Sequence, residues 1–279
     1  MKVLNKPGRG ALFYVQLGFT LLVCAFLIVP VMMSMLAGVT VNYFVGLESG
    51  LTLRWVGEVW QHYRHTLFAS VGLALACLVV TLILGVPTAY VLARQRGRLA
   101  RFVEELLVMP IAVPGLATAL AMIVTFGAFR DFRSSWSFIL VGHVLFTLPF
   151  MVRSVLAVMY AIDMRTLEEG AASLGAGPVR RFFDIVVPNC RDGILAGALM
   201  VVTLSMGEFN LTWLLHTPFT KTLPVGLADA YASLRLEIGS AYTLLFFLMI
   251  MPLLLMMQMF ARPRRAHAPK VADAAEVSR

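Results

Sequence analysis

Residues 167–197 read LEEGAASLGAGPVRRFFDIVVPNCRDGILAG, a polar, turn-rich stretch set between long uncharged apolar segments. Its residues predict two short helices joined by a turn. Asp163 or Thr166, just upstream, can cap the first helix, and Glu168 and Glu169 then fall in its opening turn, where carboxylates suit the positive end of the helix dipole. Ala171, Ala172 and Ala176 keep the surface of that helix low, so that another backbone can approach it. Gly175, Ala176, Gly177 and Pro178 punctuate the stretch, because glycine permits positive φ and proline suits the first position of a following helix. Arg180 and Arg181 then open an amphipathic run whose apolar members are Phe182, Phe183, Ile185, Val186 and Val187, with Pro188 as its stop.

Composition places this stretch in a membrane protein. Of the 279 residues, 59% are hydrophobic and only 14% are charged, against about 25% charged in soluble domains. Uncharged runs cover 10–47, 65–93, 106–129, 134–152, 193–207 and 238–261, and a spanning helix needs about 20 mostly apolar residues. The run 193–207 is short, but it continues past one carboxylate, Glu208, to Leu215. The expectation is an all-α membrane protein of six transmembrane helices, over about 11–38, 63–93, 104–128, 136–160, 193–215 and 238–261. Pro110 and Pro114 are expected to kink the third. Residues 216–237 are too short and too polar to span, and read as an amphipathic or re-entrant element on the outer face.

The net charge of +8 is distributed as orientation signal rather than as a nucleic-acid footprint. With six spans and a cytoplasmic N-terminus, 17 of the 23 Lys and Arg residues fall on one side, leaving Arg54, Arg64, Arg130, Arg133, Lys221 and Arg235 for the other. That asymmetry puts both termini and the 161–192 loop in the cytoplasm. Cys24, Cys77 and Cys190 have no paired spacing, so neither a disulfide framework nor a metal site is expected. The first apolar run exceeds a signal-peptide core and reads as a retained helix.

Glu169-Gly170-Ala171, Gly175, Ile185 and Val187-Pro188 match at every spacing the pattern E-A-A-x3-G-x9-I-x-L-P, which resembles the coupling (EAA) loop of bacterial ABC importer permeases. Gly170 for alanine and Val187 for leucine are small or isosteric departures. The similarity to type I importer permeases with a MetI-like core covers about 62–261, carries the loop 161–192 between helices four and five, and leaves 1–61 as a first span with a periplasmic loop. The tail 262–279 is expected to be cytoplasmic and disordered. The resemblance implies a chain that pairs with a second permease subunit, identical or different, in the inner-membrane lipid. It further implies two ABC ATPase subunits docked on the loops and a periplasmic substrate-binding protein that supplies most of the selectivity. Carried over by position, Glu169 contacts the ATPase, Gly175 permits the turn, and 179–188 brace the knob against the membrane domain. No G-x-x-x-x-G-K-[ST] run occurs, so ATP hydrolysis is expected in a partner, with no catalytic residue or cofactor in this chain. The plain alternative is a connector that merely links two spans; it explains the polarity but not the small-residue face, central turn and apolar half together.

Three residues are candidates on a transport path. Glu208 is an acid deep within an expected span, where ionisable groups usually face a bundle interior or a water-filled cavity. It reads equally as a structural carboxylate near the outer interface. Asn210 is a weaker neighbour, and His143 is more often an interhelical hydrogen bond than a ligand or relay. Residues 205–235 are similar to permeases for spermidine/putrescine, 2-aminoethylphosphonate, ferric iron and sulfate, and with Glu208 they favour a polyamine or an aminophosphonate. An ion-gradient-driven secondary transporter is the main competitor, but it calls for several intramembrane ionisable residues and repeat symmetry. A membrane enzyme would need clustered His or acids, whereas the five histidines are scattered.

Overall fold

The computed structural model describes residues 11–95 and 97–261, with side chains for 12–95 and 97–259. The basic residues Lys2, Lys6, Arg9 and Arg96 and the tail 262–279, expected to be disordered, lie outside the described residues. Helices make up nearly all of what is described, and among these residues the only extended pairing is an isolated bridge from Thr40 to Leu51.

The chain runs through α1 (Ala11–Ala37), α2 (Arg54–Arg94), α3 (Arg98–Ala112), α4 (Gly115–Phe126), α5 (Arg130–Ser134) and α6 (Trp136–Ala161). It continues through α7 (Met164–Ser173), α8 (Pro178–Arg181), a π turn (Phe182–Val186), α9 (Val187–Asn189), α10 (Arg191–Gly207), α11 (Asn210–Leu215), α12 (Leu223–Ala232) and α13 (Leu236–Ala261). The helices α1, α2, α6 and α13 are each long and apolar enough to cross a membrane. Two bent pairs, α3–α4 and Pro178–Asn189 with α10, raise the number to six when each pair is one span.

Three boundaries differ from the sequence expectation for identifiable reasons. Helix α2 begins at Arg54 rather than near 63, because Val59 is fully buried and Trp55 and Val56 pack beside it; these apolar residues extend the helix into what reads as a loop. The third span is not a kinked helix but a broken one, bent by 103° between α3 and α4. Pro114 causes this: the residue before a proline is pushed out of the helical region, and Val113 is extended (φ −88°, ψ 129°). Pro110, by contrast, is accommodated within α3. The fifth span also breaks, at Glu208 (φ −71°, ψ 120°), so this residue caps a helix end instead of lying inside a continuous helix.

The contacts group the chain into two compact units. One contains α1, the start of α2, α12 and the start of α13. Its core joins Val59, Leu67, Leu223, Ala230, Ile238, Ala241 and Tyr242. Gly38 brings the end of α1 so close to α13 that an added Cβ would lie 2.6 Å from the Ala241 nitrogen. At its polar rim Arg235 bridges Glu58 (2.5 Å) and the Tyr63 hydroxyl (2.9 Å), and Lys221 pairs with Asp229. Within the segment 216–237, α12 forms a helix that buries Leu223, Val225, Gly226 and Ala230.

The other unit contains the rest of α2, α3–α10 and the end of α13. Its centre is the α6–α10 pair, with Met151, Val152, Val155 and Val201 buried between them and their neighbours. Gly193 and Gly197 of α10 face Ser154, Val155 and Met151 of α6, the small-residue contact that lets spans approach where lipid offers no hydrophobic drive. A polar seam runs through this packing. The Thr147 hydroxyl lies 3.1 Å from Cys77 Sγ and donates to the His143 carbonyl at 2.7 Å, while His143 Nδ1 meets Ser205 Oγ at 2.8 Å.

Candidate functional site

The stretch 161–192 folds as two short helical segments around one tight turn. Of the two candidate caps, Asp163 is the cap: its Oδ1 accepts the Thr166 N–H (3.3 Å) and its Oδ2 accepts the Thr166 hydroxyl (2.6 Å). Because α7 starts at Met164, its first turn holds no acid, and Glu168 and Glu169 fall in the second turn rather than the first.

The turn closes by two hydrogen bonds that satisfy the last carbonyls of α7: Gly175 N–H to Ala172 O (2.9 Å) and Ala176 N–H to Ala171 O (3.0 Å). This paired arrangement, the Schellman motif, needs a left-handed residue just past the helix, and Gly175 supplies it at φ +82°. A Cβ at Gly175 would meet nothing within 4 Å, so conformation rather than crowding asks for glycine there. The same holds for space at Gly170, and the departure from alanine at that position costs the loop no room.

The knob presents a mixed face. The side chain of Glu169 is 64% exposed and pairs with Arg165 at 2.7 Å. Leu167, Leu174, Val179 and Phe183 of the same loop are exposed too, Leu174 to 90%. Ala171 is half-buried, Ile185 is half-buried and Pro188 is exposed. The second segment is held down by Val186, which is fully buried, together with Phe182 and Val187 on the same core. The π turn has a local cause. Pro188 cannot donate to the Asp184 carbonyl and its ring would crowd that oxygen in α geometry; the chain instead widens, with Val187 N–H bonded to Phe182 O.

Sequence reasoning missed the roles of Glu168, Tyr90, Arg94 and Val186 here. Glu168, next to the exposed Glu169, is buried and accepts the Tyr90 hydroxyl at 2.5 Å, with Arg94 at 3.4 Å. Successive helical residues point about 100° apart, so two neighbouring carboxylates on one helix cannot share a face. That phase difference, with an arginine closing α2, was the available signal. Val186 was hidden in the same way, as one apolar residue among several.

The path candidates divide. The Glu208 Oε1 atom accepts the Leu211 N–H at 2.9 Å, so the carboxylate caps α11 across the break. A Cβ on Gly115, the first residue of α4, would lie 3.3 Å from Asn210 Cβ and 3.5 Å from Glu208 Oε1. The break at Pro114 and the break at Glu208 thus meet, and Glu208 and Asn210 come together there. His143 is not with them: it is buried in the α6–α10 seam against Ser205.

A family model described as "binding-protein-dependent transport system inner membrane component" matches residues 82–265. The chain belongs to this family. As an inner-membrane permease of the ABC importer type, it is 30% identical over 239 residues to the putrescine transport system permease protein PotI of Escherichia coli K12, covering 81% of this chain and 80% of that protein. It is 26% identical over 214 residues to the molybdate/tungstate permease WtpB of Methanocaldococcus jannaschii, covering 74% of this chain and 84% of that one. A bacterial ABC transporter that imports the polysaccharide alginate shares the permease fold, with a TM-score of 0.69 at 14% identity, over 91% of this chain and 96% of its counterpart.

Proposed function

We propose that this permease is driven by ATPase subunits that dock on the knob 161–192 from the cytoplasm, and that it carries a small amine-bearing solute, a polyamine or an aminophosphonate. The observation behind the docking reading is the knob itself. A turn fixed by glycine displays Glu169, Leu167 and Leu174 on or next to α7 and Val179 and Phe183 on the second segment, which buried Val186 anchors to the core. A mere connector has no use for a rigid, partly apolar exposed face, which is the composition of an interface. The exposed apolar length of α1 suits lipid and a second permease subunit, and a periplasmic binding protein delivers the solute.

The solute reading rests on the meeting of two helix breaks. Irregular backbone at membrane depth is tolerated where it is buried in protein or lines a cavity, and broken helices form the substrate sites of many carriers. Glu208 at this junction supplies a negative group to an amine. The molybdate/tungstate relative favours an oxyanion instead, for which a carboxylate is repulsive. Glu208→Gln separates the two, because the glutamine carbonyl can still accept the Leu211 N–H. A charged hydrogen bond is worth about 1.5–3 kcal/mol, so putrescine uptake is expected to fall roughly ten- to hundred-fold at unchanged membrane level. Unaltered uptake would remove the amine assignment.

The reading as a whole is tested by affinity purification from native membranes in mild detergent, with mass spectrometry of the accompanying chains. Co-purifying ATPase, lost on Glu169→Arg, is the expected result. Transport by a preparation free of any ATPase would favour a secondary transporter.

A further inference from the structure

Tyr90, near the end of α2, touches both halves of the knob. Its hydroxyl donates to Glu168 on α7 at 2.5 Å. Its ring stands edge-on to Phe182 of the π turn, with centroids 5.3 Å apart and planes at 63°. Arg94, one turn further along α2, donates to the same hydroxyl and reaches Glu168 Oε2 at 3.4 Å, with its guanidinium carbon 5.3 Å from the Tyr90 ring centre. The Glu168 side chain is only 6% exposed.

We propose that Tyr90, supported by Arg94 and Glu168, is the positioning residue that makes the knob and α2 move as one body, so that displacement of the docked loop is delivered to the membrane helix. The two adjacent carboxylates have separate tasks: Glu169 faces outward toward a partner, and Glu168 faces inward and holds. Lifting the knob from α2 would strand a buried carboxylate without its donors, which is far costlier than parting an exposed pair. Tyr90 also contacts the two segments on either side of the Gly175 turn, so flexing of that turn cannot absorb the motion. Packed side chains and a hydrogen-bonded network of this kind are the physical means by which a displacement passes between elements.

This inference rests on the docking reading, and its test keeps the two apart. The complete importer, with both permease subunits, its ATPase and its binding protein, is reconstituted in proteoliposomes with Tyr90→Phe, Tyr90→Leu or Glu168→Gln in this chain. Three quantities are read: ATPase retained on purification, ATP hydrolysed, and solute accumulated per ATP. The expected result is retention and hydrolysis within about two-fold of the parent, with solute per ATP falling about three-fold in Tyr90→Phe and about ten-fold in the other two. The conservative Tyr90→Phe keeps the ring against Phe182, so it reports on the hydroxyl alone even where Tyr90→Leu misfolds. Solute per ATP unchanged in Tyr90→Phe and Glu168→Gln would overturn the proposal, as would loss of the ATPase from these variants, since the cluster would then be shaping the docking face. Absence of ATPase from the unsubstituted complex would instead overturn the docking reading.

Discussion

Glu169→Arg is expected to bring solute uptake down to background while the protein reaches the membrane in normal amounts. The two halves of this expectation have different magnitudes behind them. Within the chain, Glu169 is exposed and pairs at the surface with Arg165, and such exposed pairs contribute little to stability. Reversal leaves two like charges at i,i+4, a further cost of a few tenths of a kcal/mol, too little to unfold a membrane protein. At an interface the balance is different, because a like-charge juxtaposition against a complementary partner costs several kcal/mol. A companion variant, Gly175→Val, reaches the same end by geometry: a β-branched residue at φ +82° strains the turn by about 1–3 kcal/mol and misdirects α7. Gly170→Ala serves as the control, since a Cβ there meets nothing within 4 Å and alanine is the better helix former. Uptake assays with immunoblots of the membrane fraction read all three, and normal uptake by Glu169→Arg together with Gly175→Val would end the docking assignment.

Gly193→Ala is expected to damage the fold itself. A single Cβ at this point of α10 would sit 2.6 Å from the Ser154 carbonyl oxygen and 3.2 Å from Val155 Cα. Both are backbone atoms of α6 and cannot swing aside. Relief requires the two spans to separate, and overpacking of this kind costs typically about 1–3 kcal/mol, or about 2–12 °C in the midpoint of thermal unfolding at about 2–4 °C per kcal/mol. Gly197→Ala should cost less, because its nearest neighbour is the Met151 sulfur at 2.8 Å, the end of a flexible side chain. Gly72→Ala, with nothing within 4 Å, should be neutral. Thermal midpoints of the detergent-solubilised protein followed by size-exclusion fluorescence give the order directly. Equal midpoints for Gly193→Ala and Gly72→Ala would show that α6 and α10 do not approach this closely.

What the sequence disclosed and what it concealed follow from the range of the forces involved. Length and hydropathy of a span are local, so α1, α6 and α13 fall within a few residues of expectation. The Gly175 turn and the Pro178 helix start are local too, and both are in place. The α7 cap was narrowed to two residues, of which tertiary geometry selects Asp163. Proline effects were half legible: the residue type announces an interruption, but whether Pro110 bends and Pro114 breaks depends on what satisfies the backbone around them. The early start of α2 and the burial of α12 could not be read, because Val59 and Val225 owe their burial to partners far along the chain. Glu208 stands out in the sequence as an acid in an apolar run, yet its cap on Leu211 and its nearness to Gly115 become visible only when two distant breaks are brought together. Glu168 shows the reverse error, a residue passed over because its neighbour carried the pattern.

The widened turn at Phe182–Val186 has a consequence for how this loop can change. A π turn accommodates one extra residue relative to an α-helix, and one residue corresponds to about 100° of rotation about the axis. The turn therefore acts as a phase shifter between the part of the segment that ends at Pro188 and the part that begins at Pro178. It puts Val186 on the core while Phe183 stays outward. Removing a single residue there would leave the segment almost as long as before and turn the Val179 side of the knob by roughly a quarter of a revolution. The count of residues across this stretch is thus a setting of angle, and a one-residue deletion is a rotation before it is a shortening.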